Sequence, residues 1–268
     1  MWNKQNNNFY GKENAECMVK DMSDNICIFK RIEKKYLLST EQKKKLLELT
    51  NIHLIPDKHG KNTICSLYLD TPNYLLIRNS IDAKAYKEKL RLRSYGTPDL
   101  NTIVFLELKK KYKGVVYKRR VEMSLEEAKL YMDIGIKPFE SQIMSEIDYA
   151  MEFYKHPKPA MFIAYDREAY YDKELPNLRL TFDSTIRYRK DDLMLEKGAE
   201  GKLILPEDKY ILEIKTDGSM PVWLSNALDE CGIRPASFSK YGTAYRDSME
   251  EKNYIYNEKG DLKYVSNF

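Results

Sequence analysis

The residues of this chain that could do chemistry are lysines, arginines and single carboxylates placed two apart. Strand side chains alternate, so residues i and i+2 share a face. By that rule Arg31, Glu33 and Lys35 line up, as do Lys89, Arg91 and Arg93. So do Glu107 and Lys109; Lys118, Arg120 and Glu122; Tyr165 and Arg167; Arg179, Thr181 and Asp183; and Glu213 and Lys215. Between them sit Ile32, Leu90, Leu92, Leu106, Leu108, Leu178, Leu180, Phe182, Leu212 and Ile214. A half-solvated antiparallel sheet accounts for any one such strand. A whole series of faces dominated by Arg and Lys, several with one carboxylate among the cations, predicts more. It predicts a closed barrel with an apolar outside covered by helices and a charged lumen that holds a polyanion and a metal. Crowded cations repel one another, and a bound polyphosphate relieves that repulsion.

The elements that must position these faces follow from periodicity and capping signals. Strands are expected over residues 29–38, 62–70, 86–95, 102–111, 115–123, 160–171, 178–189 and 210–216. Ser39-Thr-Glu-Gln42 and Ser124-Leu-Glu-Glu127 read as capping boxes, opening helices over 43–50 and up to about 133. Further helices are expected over 139–155, stopped by His156-Pro157, and over 221–231, ended by Gly232. Residues 238–247 read as a short helical piece and 77–83 as a connection. Residues 1–25 and 249–268 read as polar tails around one domain spanning 26–248. The fold class is α+β, mainly β: an eight-stranded antiparallel barrel with helices outside.

Composition narrows the function classes. Of 268 residues, 45 are Lys or Arg and 41 are Asp or Glu, a net charge of only +4, which argues against a bulk nucleic-acid coat. No apolar run approaches 18 residues, so no transmembrane helix is expected. The first ten residues lack the apolar core of a signal peptide, which predicts a cytosolic protein. The four cysteines and three histidines are scattered, against a disulfide framework or a zinc site. The Arg- and Tyr-rich strands suit an RNA-binding module superficially, but no RNP-like glycine-aromatic motif appears.

At these charged strands the sequence resembles the VTC-type polyphosphate polymerase domain of the triphosphate tunnel metalloenzymes. Arg31-x-Glu33-x-Lys35 stands where that superfamily carries ExExK. Also similar are Ser66-Leu-Tyr-Leu-Asp-Thr71, Lys89-Leu-Arg-Leu-Arg-Ser-Tyr-Gly96, Phe105-Leu-Glu-Leu-Lys109, Tyr117-Lys-Arg-Arg120 and Tyr165-Asp-Arg167. Leu178-Arg-Leu-Thr-Phe-Asp183, Leu212-Glu-Ile-Lys215 and Phe238-Ser-Lys-Tyr241 complete the series in the family's order. The resemblance implies ATP and inorganic polyphosphate as substrates and Mn²⁺ or Mg²⁺ as cofactor. It implies that Lys35, Arg91, Arg93, Lys109, Lys118, Arg120, Arg167, Arg179, Lys215 and Lys240 act on phosphates, aided by Lys89 and Ser239. Glu213 would be the principal metal ligand, and Tyr165 would contact the nucleotide base. Glu33 and Glu107 have two readings: further metal ligands, or partners that orient Lys35 and Lys109. Asp183 and Arg187 are expected to pair with each other. Arg31 replaces the first Glu of ExExK, a loss that suits polymerase-like members better than hydrolases. An inorganic triphosphatase and a non-catalytic polyphosphate sensor are the alternatives.

Overall fold

The computed structural model describes residues 32–252, apart from positions 83 and 114, together with the backbone of 254–256 and 262–264. The expected tail over 1–25, and Arg31, lie outside the described residues. The chain runs β1 (Ile32–Ser39), α1 (Thr40–Thr50), β2 (Leu54–Pro56), β3 (Asn62–Asp70), α2 (Leu75–Ile81), β4 (Tyr86–Tyr95), β5 (Ile103–Tyr112) and β6 (Val115–Ser124). It continues through α3 (Leu125–Ile134), α4 (Gln142–Phe153), β7 (Lys158–Asp172), β8 (Arg179–Arg189), β9 (Lys202–Leu203), β10 (Lys209–Thr216), α5 (Val222–Glu230) and α6 (Lys240–Lys252). Where a polar tail was expected after residue 248, α6 continues, and β11 (Tyr254–Tyr256) pairs antiparallel with β12 (Leu262–Tyr264).

Eight antiparallel strands form one sheet in the order β1-β10-β8-β7-β3-β4-β5-β6, with β2 added to β7 and β9 to β8. Among the described residues no hydrogen-bonded ladder joins the two end strands β1 and β6. The expected closed barrel is thus a strongly curled sheet. Its two ends meet through side chains, since Lys109 on β5 reaches Glu33 on β1 at 3.6 Å.

The outer face carries the apolar half of each alternation. Leu90, Leu92, Leu106 and Leu108 bury against Ala128 and Tyr131 of α3 and Met144, Ile147 and Ala150 of α4. Tyr36, Leu180, Phe182, Leu212 and Ile214 bury against Leu46 of α1 and Leu224 and Leu228 of α5. Each fully buried Leu contributes roughly 1.5–3 kcal/mol, so these contacts fix which face of every strand points inward. The helices start where their caps dictate: Ser39 and Ser124 both close capping boxes, with Gln42 and Glu127.

A third cluster lies on the inner face. Helix α6 enters one end of the roll, and its Tyr241 packs with Ile64, Met161, Ile163, Tyr165 and Ile211. The Tyr241 ring stacks on Tyr68 at 4.5 Å, and its hydroxyl donates to Asp70 Oδ2 at 2.9 Å. Asp70 also accepts from the backbone N–H groups of Leu76 and Ile77. One buried carboxylate therefore starts α2 and anchors α6. Helix α2 replaces the expected connection because its cap comes from Asp70 and Thr71, upstream of the helix, while Tyr74 at its N-terminus supplies none.

Candidate active site

The register places the charged residues opposite one another across the inner face. Lys35 faces Glu213, and Glu33 faces Lys215. Glu213 faces Thr181, and Lys215 faces Arg179. Arg167 faces Asp183. Arg91 faces Tyr68 and Glu107, Arg93 faces Ser66, and Lys89 faces Lys109. Glu107 faces Arg120, and Lys109 faces Lys118. Directly opposed residues share a face, so the cations expected from sequence do gather in one lumen.

Two carboxylates in that lumen are buried and committed to cations. Glu107 is 1% exposed. Its Oε2 accepts from Arg91 Nε at 2.7 Å, and its Oε1 lies 2.6 Å from Arg120 Nη2 and 3.0 Å from Lys118 Nζ. Burial would raise its pKa, but Arg91, Arg93, Lys118 and Arg120 outweigh burial and hold it well below the usual carboxylate range. Glu107 thus organises cations, with both its oxygens in contact with them. Lys109, expected to pair with it, pairs instead with Glu33. Asp183 is the second hub: Arg167 donates to it through Nε at 2.6 Å and Nη2 at 2.8 Å, and Lys240 Nζ lies at 2.5 Å. Against burial, Lys240 and Arg167 bring its pKa down. The expected Asp183–Arg187 pair is absent. Thr185 between them adopts φ +48°, and β8 bulges there, with Thr185 and Ile186 opposing Tyr165 alone on β7. The two residues therefore leave the common face, and Arg187 turns to the backbone carbonyls of Thr185 and Ala199.

The other two carboxylates differ. Glu33 and Glu213 lie within hydrogen-bonding reach of each other. Glu213 contacts Lys215 at 3.3 Å and Arg167 at 3.8 Å, and Glu33 contacts Lys35 at 3.7 Å. Burial would raise the Glu213 pKa, yet Lys215, the Glu33 contact, Lys35 and Lys240 hold it well below the ordinary value. Two carboxyl groups at this separation need a proton or a cation between them. That donor set, two hard oxygens side by side, fits Mg²⁺ or Mn²⁺, which keep water and substrate oxygens in their remaining positions. Among the described residues no three Asp, Glu, His or Cys side chains gather to hold a metal by themselves.

The N-terminus of α6 completes the lumen. Ser239 Oγ accepts from Gly242 N–H and from Lys89 Nζ at 3.1 Å, and Lys35 Nζ donates to the Phe238 carbonyl at 3.3 Å. Lys89 is pushed down to about 8, first by burial and then, against Tyr68, by Lys35, Lys109 and Arg91. Burial would raise the Tyr68 phenol, but Arg91, Lys89 and Arg93 bring it down to about 8. Tyr68 accepts from Arg91 Nη1 at 3.2 Å. Sequence reading passed over it because a strand tyrosine looks like packing; its place opposite Arg91 was the available signal. Tyr165 is 3% exposed, with Arg167 and Lys240 over its ring at 5.2 and 4.3 Å. Its hydroxyl accepts from Arg93 Nη2 at 3.3 Å. The expected base contact finds no open ring face; Tyr165 instead seats cations. Arg179 lies at the rim, 3.6 Å from Asp57 and over the Tyr171 ring.

A curled antiparallel sheet with a cation-lined lumen, two buried carboxylate hubs and one adjacent carboxylate pair makes up a basic, tunnel-like fold. Residues 30–249 match the family model described as the VTC domain, most of the chain, and the protein belongs to that family. No curated protein matches the chain. Two solved structures similar to it are putative adenylate cyclases. One, from Bacillus halodurans, is 18% identical with TM-score 0.49, over 78% of this chain and 93% of that one. The other, from Hippeastrum and described as having a dominant triphosphatase activity, is 18% identical with TM-score 0.49, over 81% of this chain and 96% of its own. No helix among the described residues is long and apolar enough to cross a membrane.

Proposed function

We infer that this protein is a polyphosphate polymerase, moving the γ-phosphate of ATP onto a growing inorganic polyphosphate chain within the tunnel. The observation that carries the reading is how the carboxylates are used. Glu107 and Asp183 are spent on holding arginines and lysines, whereas Glu33 and Glu213 make only longer ion pairs, at 3.3 Å or more, that a metal cation can replace. Phosphoryl transfer needs positioning and charge neutralisation more than covalent catalysis. Arg91, Arg93, Arg120 and Arg167 present planar forks to phosphate oxygens, while Lys35, Lys89, Lys109, Lys118, Lys215 and Lys240 act as point charges.

In this reading Glu33 and Glu213 hold Mg²⁺ or Mn²⁺, which when bound neutralises charge on the leaving diphosphate. Lys35 and Lys215 flank that pair, and both help to hold Glu213 ionised. The acceptor's terminal phosphate is already anionic, so the chain need supply no general base. The buried hubs keep the arginines fixed before substrate arrives, so little reorganisation accompanies transfer.

The test is purified protein with ATP and Mn²⁺ or Mg²⁺, with and without a short polyphosphate primer, resolved on a gel stained for polyphosphate. A ladder of chains with ADP release is expected, and Lys35→Ala, Arg91→Ala and Glu213→Ala should each abolish it. Phosphate release without chains would replace the polymerase by a triphosphatase in the same tunnel. Tight triphosphate binding without turnover would leave a sensor.

A further inference from the structure

Among the described residues, six buried side-chain atoms have no hydrogen-bond partner: Ser66 Oγ, Asn79 Oδ1, Arg93 Nε, Asp172 Oδ2, Arg179 Nε and Thr181 Oγ1. The set divides by chemistry and by place. Asn79 and Asp172 are acceptors and lie off the tunnel face. Ser66, Arg93, Arg179 and Thr181 can all donate, and all four are on the inner face, where Ser66 opposes Arg93 and Lys215 opposes Arg179. Buried polar groups in native proteins are nearly always paired, so orphans ask for an explanation. Donors left over on one face, with none of the leftover acceptors there, are explained by an acceptor-rich ligand.

The four also form two couples. Ser66 and Arg93 are direct cross-strand partners. Arg179 and Thr181 are neighbours two apart on β8, and Thr181 opposes Glu213. Each couple joins one hydroxyl to one guanidinium Nε. Arg93 Nε comes no nearer than 3.8 Å to Glu107, an ion pair but no hydrogen bond. Ser66 is 1% exposed and Thr181 2%, so neither hydroxyl can turn to bulk water for its partner.

We propose that Ser66 and Thr181 are phosphate-binding residues, the neutral donors of two separate subsites that take non-bridging oxygens of a linear oligophosphate. The Thr181 subsite sits beside the Glu213 carboxylate, and the Ser66 subsite lies across the lumen beside Arg93 and Tyr165. This rests on the tunnel reading above and deepens it. A hydroxyl is suited to the task because it adds a donor without adding repulsion to a lumen already crowded with cations. The Thr181 donor also stands next to a carboxylate without holding it in an ion pair.

The test is calorimetric binding of inorganic tripolyphosphate, with thermal unfolding of the free and bound protein, for wild type, Ser66→Ala, Thr181→Val and the double variant. Neither substitution removes a group that is paired in the free protein. Each single variant should keep or raise the Tm of the free protein, weaken tripolyphosphate binding roughly 10- to 150-fold, the scale of one lost hydrogen bond to a charged group, and shrink the ligand-induced Tm rise. The double variant should show the product of the two losses, as separate subsites require. Unchanged affinity in both single variants, with wild type binding, overturns the proposal and leaves the tunnel reading intact. A lowered free-protein Tm in both would make the hydroxyls structural and overturn it too. Failure of the wild type to bind tripolyphosphate overturns the tunnel reading and the subsites together.

Discussion

The β4–β5–β6 side of the lumen and the β1–β10 side use carboxylates in opposite ways. On the first, Glu107 is sealed from water and accepts from several cations at hydrogen-bonding distance. On the second, Glu33 and Glu213 lie against each other, and their lysines stand off at 3.3 Å or more. The first arrangement is closed and fixes the geometry of a grip. The second has ligand capacity left and can exchange partners. The number of acidic residues in a strand face therefore says little about metal binding; how fully their oxygens are occupied says more.

The widest separation between the two sides should appear in stability. Glu107→Ala leaves buried arginines without their counter-charge and is expected to cost ~3–5 kcal/mol, read as a large drop in Tm. Glu213→Ala should cost clearly less, because its cations stand off at 3.3 Å or more. Equal drops in both would erase the distinction. The next effect runs the other way. Glu213→Gln should reduce phosphoryl transfer on the order of 10²-fold, the size of a removed charge-stabilising group, and raise the Mn²⁺ concentration needed for half-maximal rate. An unaltered metal requirement would move the ion elsewhere.

A smaller effect concerns pH. Lys89 and Tyr68 both titrate near 8 in the folded protein, below their ordinary values. As pH rises through 8, Lys89 loses its charge and Tyr68 gains a negative one, so tripolyphosphate affinity should fall. Stability should move oppositely. A group with a depressed folded pKa releases its proton more readily folded than unfolded, so the fold gains stability as pH climbs from about 8 to 10. Binding and unfolding curves over pH 7–10 that rise or fall together would contradict this. The smallest effect is at Tyr165. Tyr165→Leu should weaken ATP and inorganic triphosphate by the same small factor, about 3-fold, since the ring seats Arg167 and Lys240. A loss confined to ATP would restore the base contact.

The strands were legible because alternation is a local signal: residues 62–70 and 86–95 form β3 and β4 with the bounds the sequence implies. The capped helices were legible for the same reason, Ser39 and Ser124 each closing a box with the residue three on. Helix α2 was not, because its cap is the side chain of Asp70, in the preceding strand. The cations of the site were legible because charge on a strand face stands out. Their partners were not, because the β8 bulge at Thr185 shifts which residues share a face, and alternation cannot see a bulge. Tyr68 and Ser66 escaped because the alternate residues before them, Asn62 and Ile64, carry no charge to mark the face; Thr181 was placed on the charged face of β8, but a neutral hydroxyl gave no sign of a role there. The cations around Glu107 escaped for a related reason: the packing of arginines around one carboxylate is set by register between strands, not by spacing within one.

The order of the sheet bears on how the molecule comes to be made. Among the described residues, β1 finds its only ladder with β10, from Ile32 against Thr216 to Ser39 against Lys209. Nearly the whole chain must leave the ribosome before that edge is covered, and α6 follows later still. Until then the basic wall lies open, facing a cell full of nucleic acid and nucleotides. Pairings this distant in sequence close slowly, so nascent chains have a long interval in which stray polyanions can occupy the wall. An oligophosphate present during synthesis should then act as a template, drawing the two halves of the roll together around itself.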